Sequence, residues 1–290
     1  MKRVALFTPI LAALALVAVP MASHAHWDAG AVWFIAQFPD EAVPTIDGNH
    51  GDWDIVPSSY AIDNSVFHDA AGLVPDGWSN GDWDVTDFSM LHRVGWNEND
   101  NSLYFATQSF DDEHNMDRSS HWSEDDSWEV SITYDHDAFI SVDEGGYAHV
   151  SDENIGINSR YNFSVPVHPT LGDFFWMRPG ELTGTEWLWP GTDWLEFEYT
   201  FDGEEVGEST YFYEMRVTPI GSYPRGQENY QPEDIQVYDL EEGEIVHISM
   251  VQIDNDGDFN DYKTPGCCGY WSTFGTDSGN ACCRSVNDWV

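Results

Sequence analysis

From Trp128 onward the side chains alternate, with Trp128, Val130, Ile132 and Tyr134 falling on one face and Glu129, Ser131, Thr133 and Asp135 on the other. A period of two is that of a half-buried strand, whose backbone groups find partners only by pairing with other strands. The same period recurs along the chain. Val32-Trp33-Phe34-Ile35-Ala36 reads as a first strand, and Phe88 to Trp96 and Ser102 to Gln108 alternate on either side of Asn97-Glu98-Asn99-Asp100-Asn101, which predicts a hairpin. Further strands are expected at Tyr147 to Val150, Arg160 to Val165, Phe174 to Met177, Leu195 to Phe201, Thr210 to Thr218 and Glu244 to Ile253. Pro57 to Val85 is rich in Ser, Asp, Gly and Asn without a sustained period and reads as a long loop or insertion. Helical periodicity is nearly absent, so the economical architecture is all-β, an antiparallel β-sandwich with long loop insertions.

The N-terminus follows a different pattern. Met1-Lys2-Arg3, the apolar run Val4 to Ala22 and the small-x-Ala sequence Ser23-His24-Ala25 are the charged, apolar and cleavage regions of a secretory signal peptide. An uncleaved anchor is the alternative, but Pro9, Pro20 and the alanine content favour cleavage before His26. The expected organisation is a signal peptide at 1–25 and one sandwich domain at 26–290, placing the protein outside the cytoplasm, either secreted, periplasmic or at the cell surface. No later segment is apolar enough to span a membrane.

Charge narrows the partners. The 52 Asp and Glu residues against 10 Lys and Arg give a formal net charge of −42, which repels nucleic acid and anionic lipid. It suits an exterior rich in salt or calcium. The 15% aromatic content argues for a packed core despite the charge. The cysteines form two vicinal pairs, Cys267-Cys268 and Cys282-Cys283. In an exported chain the default is two disulfides joining one pair to the other, a structural clasp over a metal site because zinc sites favour Cys-x2-Cys.

The order of several motifs resembles a family. Thr45-Ile46-Asp47-Gly48 with Asp52-Trp53, Val94-Gly95-Trp96 with Leu103-Tyr104, Asp111-Asp112, Trp122 ahead of Asp126-Ser127-Trp128-Glu129-Val130, Tyr213-Glu214-Met215, and Met250-Val251-Gln252-Ile253-Asp254 are similar to family 9 carbohydrate-binding modules and their DOMON-like relatives. The resemblance implies a jelly-roll-like sandwich that binds sugar ends between two tryptophans, with polar side chains beneath and structural calcium nearby. Trp122 matches the first tryptophan, with one extra residue before the strand, and Glu129, Gln252 and, more loosely, Arg160 match the hydrogen-bonding groups. An aromatic face packs on the C–H face of a pyranose while carboxylates and amides take its hydroxyls. Where the second tryptophan is expected the chain has Ser278-Gly279-Asn280 and the cysteine pairs, and Trp271 reads as core.

Asp254-Asn255-Asp256-Gly257-Asp258-Phe259-Asn260-Asp261 spaces carboxylates around a glycine, so Asp254, Asp256, Asp258 and Asp261 are candidate calcium ligands, against a solvated acidic turn as the bland alternative. It is not an EF-hand, since Gly257 stands fourth and Pro265 twelfth. Asp111 and Asp112 form a weaker second candidate. His26, as a mature N-terminus, has the groups to chelate copper, but no second histidine matches it by spacing and the structural reading leads. Motifs for zinc proteases, serine hydrolases, phosphate loops and haem attachment are missing, and the chain reads as not an enzyme. The leading reading is an exported, calcium-stabilised protein that binds a polysaccharide or oligosaccharide. Two alternatives stand beside it. One is a b-type haem electron-transfer subunit of the same superfamily, for which Lys263 is the one lysine outside the leader. The other is a structural surface or filament protein that self-associates through calcium on its acidic faces.

Overall fold

The computed structural model describes residues 32–66, 68–69, 85–114, 126–134, 139–142, 148–150, 161–165, 176–178, 191–204, 207–222, 231–254, 269–272 and 287–289. The chain enters through two short strands, β1 (Val32–Trp33) and β2 (Ala36–Gln37), then β3 (Ile62–Asp63) and β4 (His68–Asp69). The long hairpin follows as β5 (Phe88–Asn97) and β6 (Ser102–Asp111), paired from Asn97 opposite Ser102 to Phe88 opposite Asp111. Next come β7 (Ser127–Thr133), β8 (Phe139–Val142), β9 (Ala148–Val150), β10 (Tyr161–Val165) and β11 (Trp176–Arg178). The second half supplies β12 (Leu195–Gly203), β13 (Ser209–Val217), β14 (Ile220–Ser222), β15 (Gln236–Val237), β16 (Val246–Asp254), β17 (Gly269–Ser272) and β18 (Asn287–Trp289).

These strands form an eight-stranded sheet ordered β1-β18-β16-β7-β10-β11, with β17 and β4 attached beside β16, and a six-stranded sheet ordered β12-β13-β6-β5-β2, with β3 also on β5. The inner faces pack as a sandwich. From the six-stranded sheet come Val94, Leu103, Phe105, Tyr213, Met215 and Val217, and from the other Trp128, Val130, Ile132, Ile248 and Met250, all buried in one cluster. Trp128 bridges the layers, its ring 6.4 Å from Phe105 and 6.1 Å from Tyr213. Burying these rows follows from the alternation alone, because each strand offers its apolar side only once per two residues.

Two expectations change in detail. The first predicted strand divides: β1 pairs with β18 in one sheet and β2 with β5 in the other, so the chain crosses the sandwich near residue 35. Both pairings are parallel, so the sandwich is antiparallel at its centre and mixed at these two short contacts. The region from 57 to 85 is not structureless throughout, since β3, β4 and two 3-10 turns lie within it.

A second core covers the outer face of the six-stranded sheet. Ala36, Phe38, Trp53 and Val56 pack on Tyr104 and Ala106 of β6. Phe38 meets Trp53 and Tyr104 edge to face at 5.3 and 5.8 Å. Gly95 makes this fit possible: a Cβ there would lie 2.0 Å from Cε2 of Phe38. Glu214, fully buried on β13, then fastens the segment. Its Oε2 accepts from the N–H groups of Asp47 (2.9 Å) and Gly48 (2.6 Å), and its Oε1 accepts from Nε1 of Trp53 (2.7 Å). Burial pushes the Glu214 carboxyl above its ordinary pKa, and the three donors pull it back. Thus the Thr45–Gly48, Asp52-Trp53 and Tyr213–Met215 motifs of the sequence are parts of one fastening.

Candidate functional site

Along the four central strands the inward-facing row turns from apolar to polar at the same end of the sandwich. On β6 it runs Leu103, Phe105, Thr107, Ser109, Asp111; on β13, Val217, Met215, Tyr213, Tyr211, Ser209. On β7 it runs back from Ile132 through Val130 and Trp128 to Asp126; on β16 from Ile248 through Met250 and Gln252 to Asp254. Ser127 pairs with Ile253, so one more step of that register sets Asp126 opposite Asp254. Ser209 is opposite Asp111. All of these polar residues are buried.

Two of them, Asp111 and Asp126, converge across the sandwich and are joined by His114, three residues past the end of β6. Ligand atoms of Asp111, His114 and Asp126 lie within 4.8 Å of one another, and the residues are 2%, 3% and 4% exposed. Nδ1 of His114 is 3.3 Å from the Asp126 carboxylate, and its ring lies 4.1 Å from that of Tyr211. The backbone N–H of Glu113 donates to Oδ1 of Asp111 at 3.0 Å, whereas Oδ2 is buried and meets no donor among the described residues. Desolvation pushes the Asp111 carboxyl well above the ordinary range, with the nearby acids Asp112 and Asp87 adding to it. Two carboxylates placed this deep are unfavourable unless protonated or neutralised, and a divalent cation neutralises both. The carboxylates are the anionic oxygens that calcium takes; the imidazole widens the set toward ions that also accept nitrogen. Asp112, the other half of the sequence candidate, is exposed and its N–H bonds to Asp87 O at 3.0 Å.

The remaining candidates divide. Asp254 ends β16 and is buried. Gln252 is buried opposite Trp128 on one side and Trp271 on the other. Nε2 of Gln252 and Nε1 of Trp128, neighbours across the ladder, are buried donors without an acceptor among the described residues. Glu129 lies in β7, where its backbone is opposite Val251 and Ser164. Trp122, Arg160, Asp256, Asp258, Asp261, Lys263, His26, the four cysteines and the 1–25 segment lie outside the described residues. Among the described residues no helix is long and apolar enough to cross a membrane.

His114 and Asp126 were not singled out as ligands from sequence. Asp126 stands in the alternating series one step before Trp128, and an acid on a core-facing position is the signal that would have found it. His114 follows the last strand residue of β6 by three and carries no such mark.

No protein-family model matches the chain, and no curated protein matches it in sequence. Among solved structures it is similar to a family 9 carbohydrate-binding module from Caldicellulosiruptor kristjanssonii in complex with glucose, with a TM-score of 0.50 at 12% identity over 89% of this chain and 94% of that one. A family 9 module from the same organism in complex with cellotriose gives a TM-score of 0.49 at 13% identity over 88% and 91%. The first likeness shows the fold, a β-sandwich like that of the family 9 modules.

Proposed function

We propose that this chain is an exported, non-catalytic protein that binds a neutral polysaccharide or oligosaccharide, with its sandwich stabilised by calcium and clasped by disulfides. The observation that carries the reading is the likeness, over most of both chains, to a module in complex with glucose. Fold alone does not assign function. The motif order supports the same reading from the sequence side, since Trp122, Glu129 and Arg160 supply one aromatic platform and two hydrogen-bonding groups, whereas Gln252 is buried in the inward row beside Trp128 and would act from beneath. Calcium has two candidate positions, the Asp111–His114–Asp126 group and the turn from Asp254 to Asp261. Cys267, Cys268, Cys282 and Cys283 would close the C-terminal clasp in an oxidising exterior.

The test is glucan binding by the secreted protein. Trp122→Ala is expected to weaken affinity by about 1–3 kcal/mol with the melting temperature nearly unchanged, as for an exposed anchor. A wild-type protein that binds no neutral glucan on an array, with calcium present, would overturn the reading; unchanged affinity in the variant would remove Trp122 from the site.

A further inference from the structure

The outer face of the six-stranded sheet holds a groove of about 500 Å³ between the His50–Ile55 turn and strands β5, β6, β12 and β13. Its chemistry-bearing lining includes Asn49, His50, Asp54, Arg93, Gln108 and Phe212. The volume is that of an ordinary small-ligand site. Its walls are rigid: Gly48 is held by Glu214, and Oγ1 of Thr200 donates to Gly48 O at 2.6 Å. The groove lies on the opposite layer from β7 and β16, which carry Glu129 and Gln252, and is therefore separate from the sugar site proposed above.

Arg93 is the feature that asks for a ligand. In a chain with 52 acids, its Nε is buried and meets no acceptor among the described residues, and neither ion pair found among those residues involves it. A half-buried guanidinium with no carboxylate in ion-pair contact among the described residues is poised to bind one in a forked geometry. Around it stand groups of complementary kinds. Nε2 of His50 is 3.1 Å from Tyr213 O, so it carries the proton and donates, and Nδ1 is left as a bare, buried acceptor with no partner among the described residues. Burial lowers the His50 pKa to about 4, which keeps the ring neutral in ordinary media. Gln108 and Asn49 offer amides, Asp54 at the rim offers a carboxylate to hydroxyls, and Phe212 offers a ring, held edge to face against His50 at 5.3 Å.

We infer that this groove is a second glycan site that takes a single uronate unit, its carboxylate on the guanidinium of Arg93, its hydroxyls on Gln108 and Asp54, and its C–H face on Phe212, with His50 as a neutral wall. A cation, acceptors and donors and an apolar ring together match an acidic sugar better than an inorganic anion, which would leave the acceptors and the ring unused. The net charge of −42 excludes a long polyuronate run, which the protein would repel as it repels nucleic acid. The ligand is a neutral glycan bearing an isolated uronate at an end or branch. The inference rests on the glycan-binding reading but on different residues.

Calorimetric titration of the full chain with cellobiouronic acid, cellobiose and sodium acetate tests it, because the two disaccharides differ only in a carboxylate against a hydroxymethyl. The wild type is expected to prefer the acidic disaccharide, and Arg93→Gln to lose about tenfold in its affinity while binding cellobiose as before. Gln108→Ala, which alters the same groove without touching the cation, should weaken cellobiouronic acid several-fold and serves if Arg93→Gln does not fold. Equal wild-type affinity for the two disaccharides, acetate competing as well as the acidic sugar, an undiminished preference in Arg93→Gln, or unchanged affinity for cellobiouronic acid in Gln108→Ala would overturn the proposal. Loss of cellobiose binding by Trp122→Ala with the uronate preference intact would confirm that the sites are distinct. Uronate binding without any cellobiose binding would sink the neutral-glucan reading and leave this one standing.

Discussion

His92 is a fully buried histidine on β5 whose Nδ1 lies 2.7 Å from Oγ1 of Thr107, with its ring 6.4 Å from that of Trp128. Desolvation lowers its pKa from 6.5 to about 3. As pH falls below 6.5 the unfolded chain takes up a proton that the folded chain refuses, so the stability present above that value drains away toward about pH 3. One such group costs about 1.4 kcal/mol per pH unit through the window, and His50 adds a second, partly exposed contribution. Urea unfolding at about pH 7 and about pH 5 should show a steeper loss in the wild type than in His92→Gln, and a ring that stays neutral by NMR at about pH 5 would confirm the cause. Matching pH slopes for the two proteins would show that His92 is charged or solvated in the native state.

At the scale of elements, Gly95 on β5 lets the ring of Phe38 close onto the strand, and Gly95→Ala is expected to cost about 1–3 kcal/mol by overpacking. A melting temperature unchanged in Gly95→Ala would mean that the second core is loose; recovery by Phe38→Leu in the same chain would locate the clash. The β5–β6 hairpin was legible because Phe88 to Trp96 and Ser102 to Gln108 alternate around a polar turn in which Asn101 adopts a positive φ of 51°. Strands such as β1, β2, β14 and β15 were poorly legible or missed, since two or three residues hold barely one alternation and their pairing depends on a distant partner. The same limit applies to the Asp111–His114–Asp126 group. Asp111 and Asp126 each stand in a readable series, but they sit on different sheets, and only the packing of one layer on the other brings them together. Glu214 was read as part of a motif shared with a sugar-binding family, yet the three donors it accepts make it a structural fastening.

For the whole molecule, a net charge of −42 makes the folded state repel itself, so any salt should raise its stability a little by screening. A bound cation must do more than that. Calcium accepts irregular cages of carboxylates and magnesium does not, so a larger gain with calcium than with magnesium at equal ionic strength is the expected signature; at 100 times the dissociation constant it would reach about 2.7 kcal/mol. Asp126→Asn and the pair Asp256→Asn with Asp258→Asn assign the increment to the buried group or to the C-terminal turn; a full calcium-over-magnesium increment in all of them would place the ion at neither, and equal gains with the two ions would reduce the effect to screening. The Glu214 fastening bears on the order of assembly. It joins residues 166 and 167 positions apart, so until β13 is in place the segment can pair with β5 and pack on β6 but its Asp47 and Gly48 N–H groups lack their acceptor. Contacts of such separation form late, and Glu214→Ala is expected to speed unfolding with little change in the refolding rate, measured by stopped-flow fluorescence. A refolding rate slowed in proportion to the lost stability would instead put the contact in the nucleus. With the contact late, the residues that cover Tyr104 and Ala106 are all made before β6 and can settle there first, while the N–H groups of Asp47 and Gly48 and the Trp53 indole wait for their common acceptor until β13 joins the sheet.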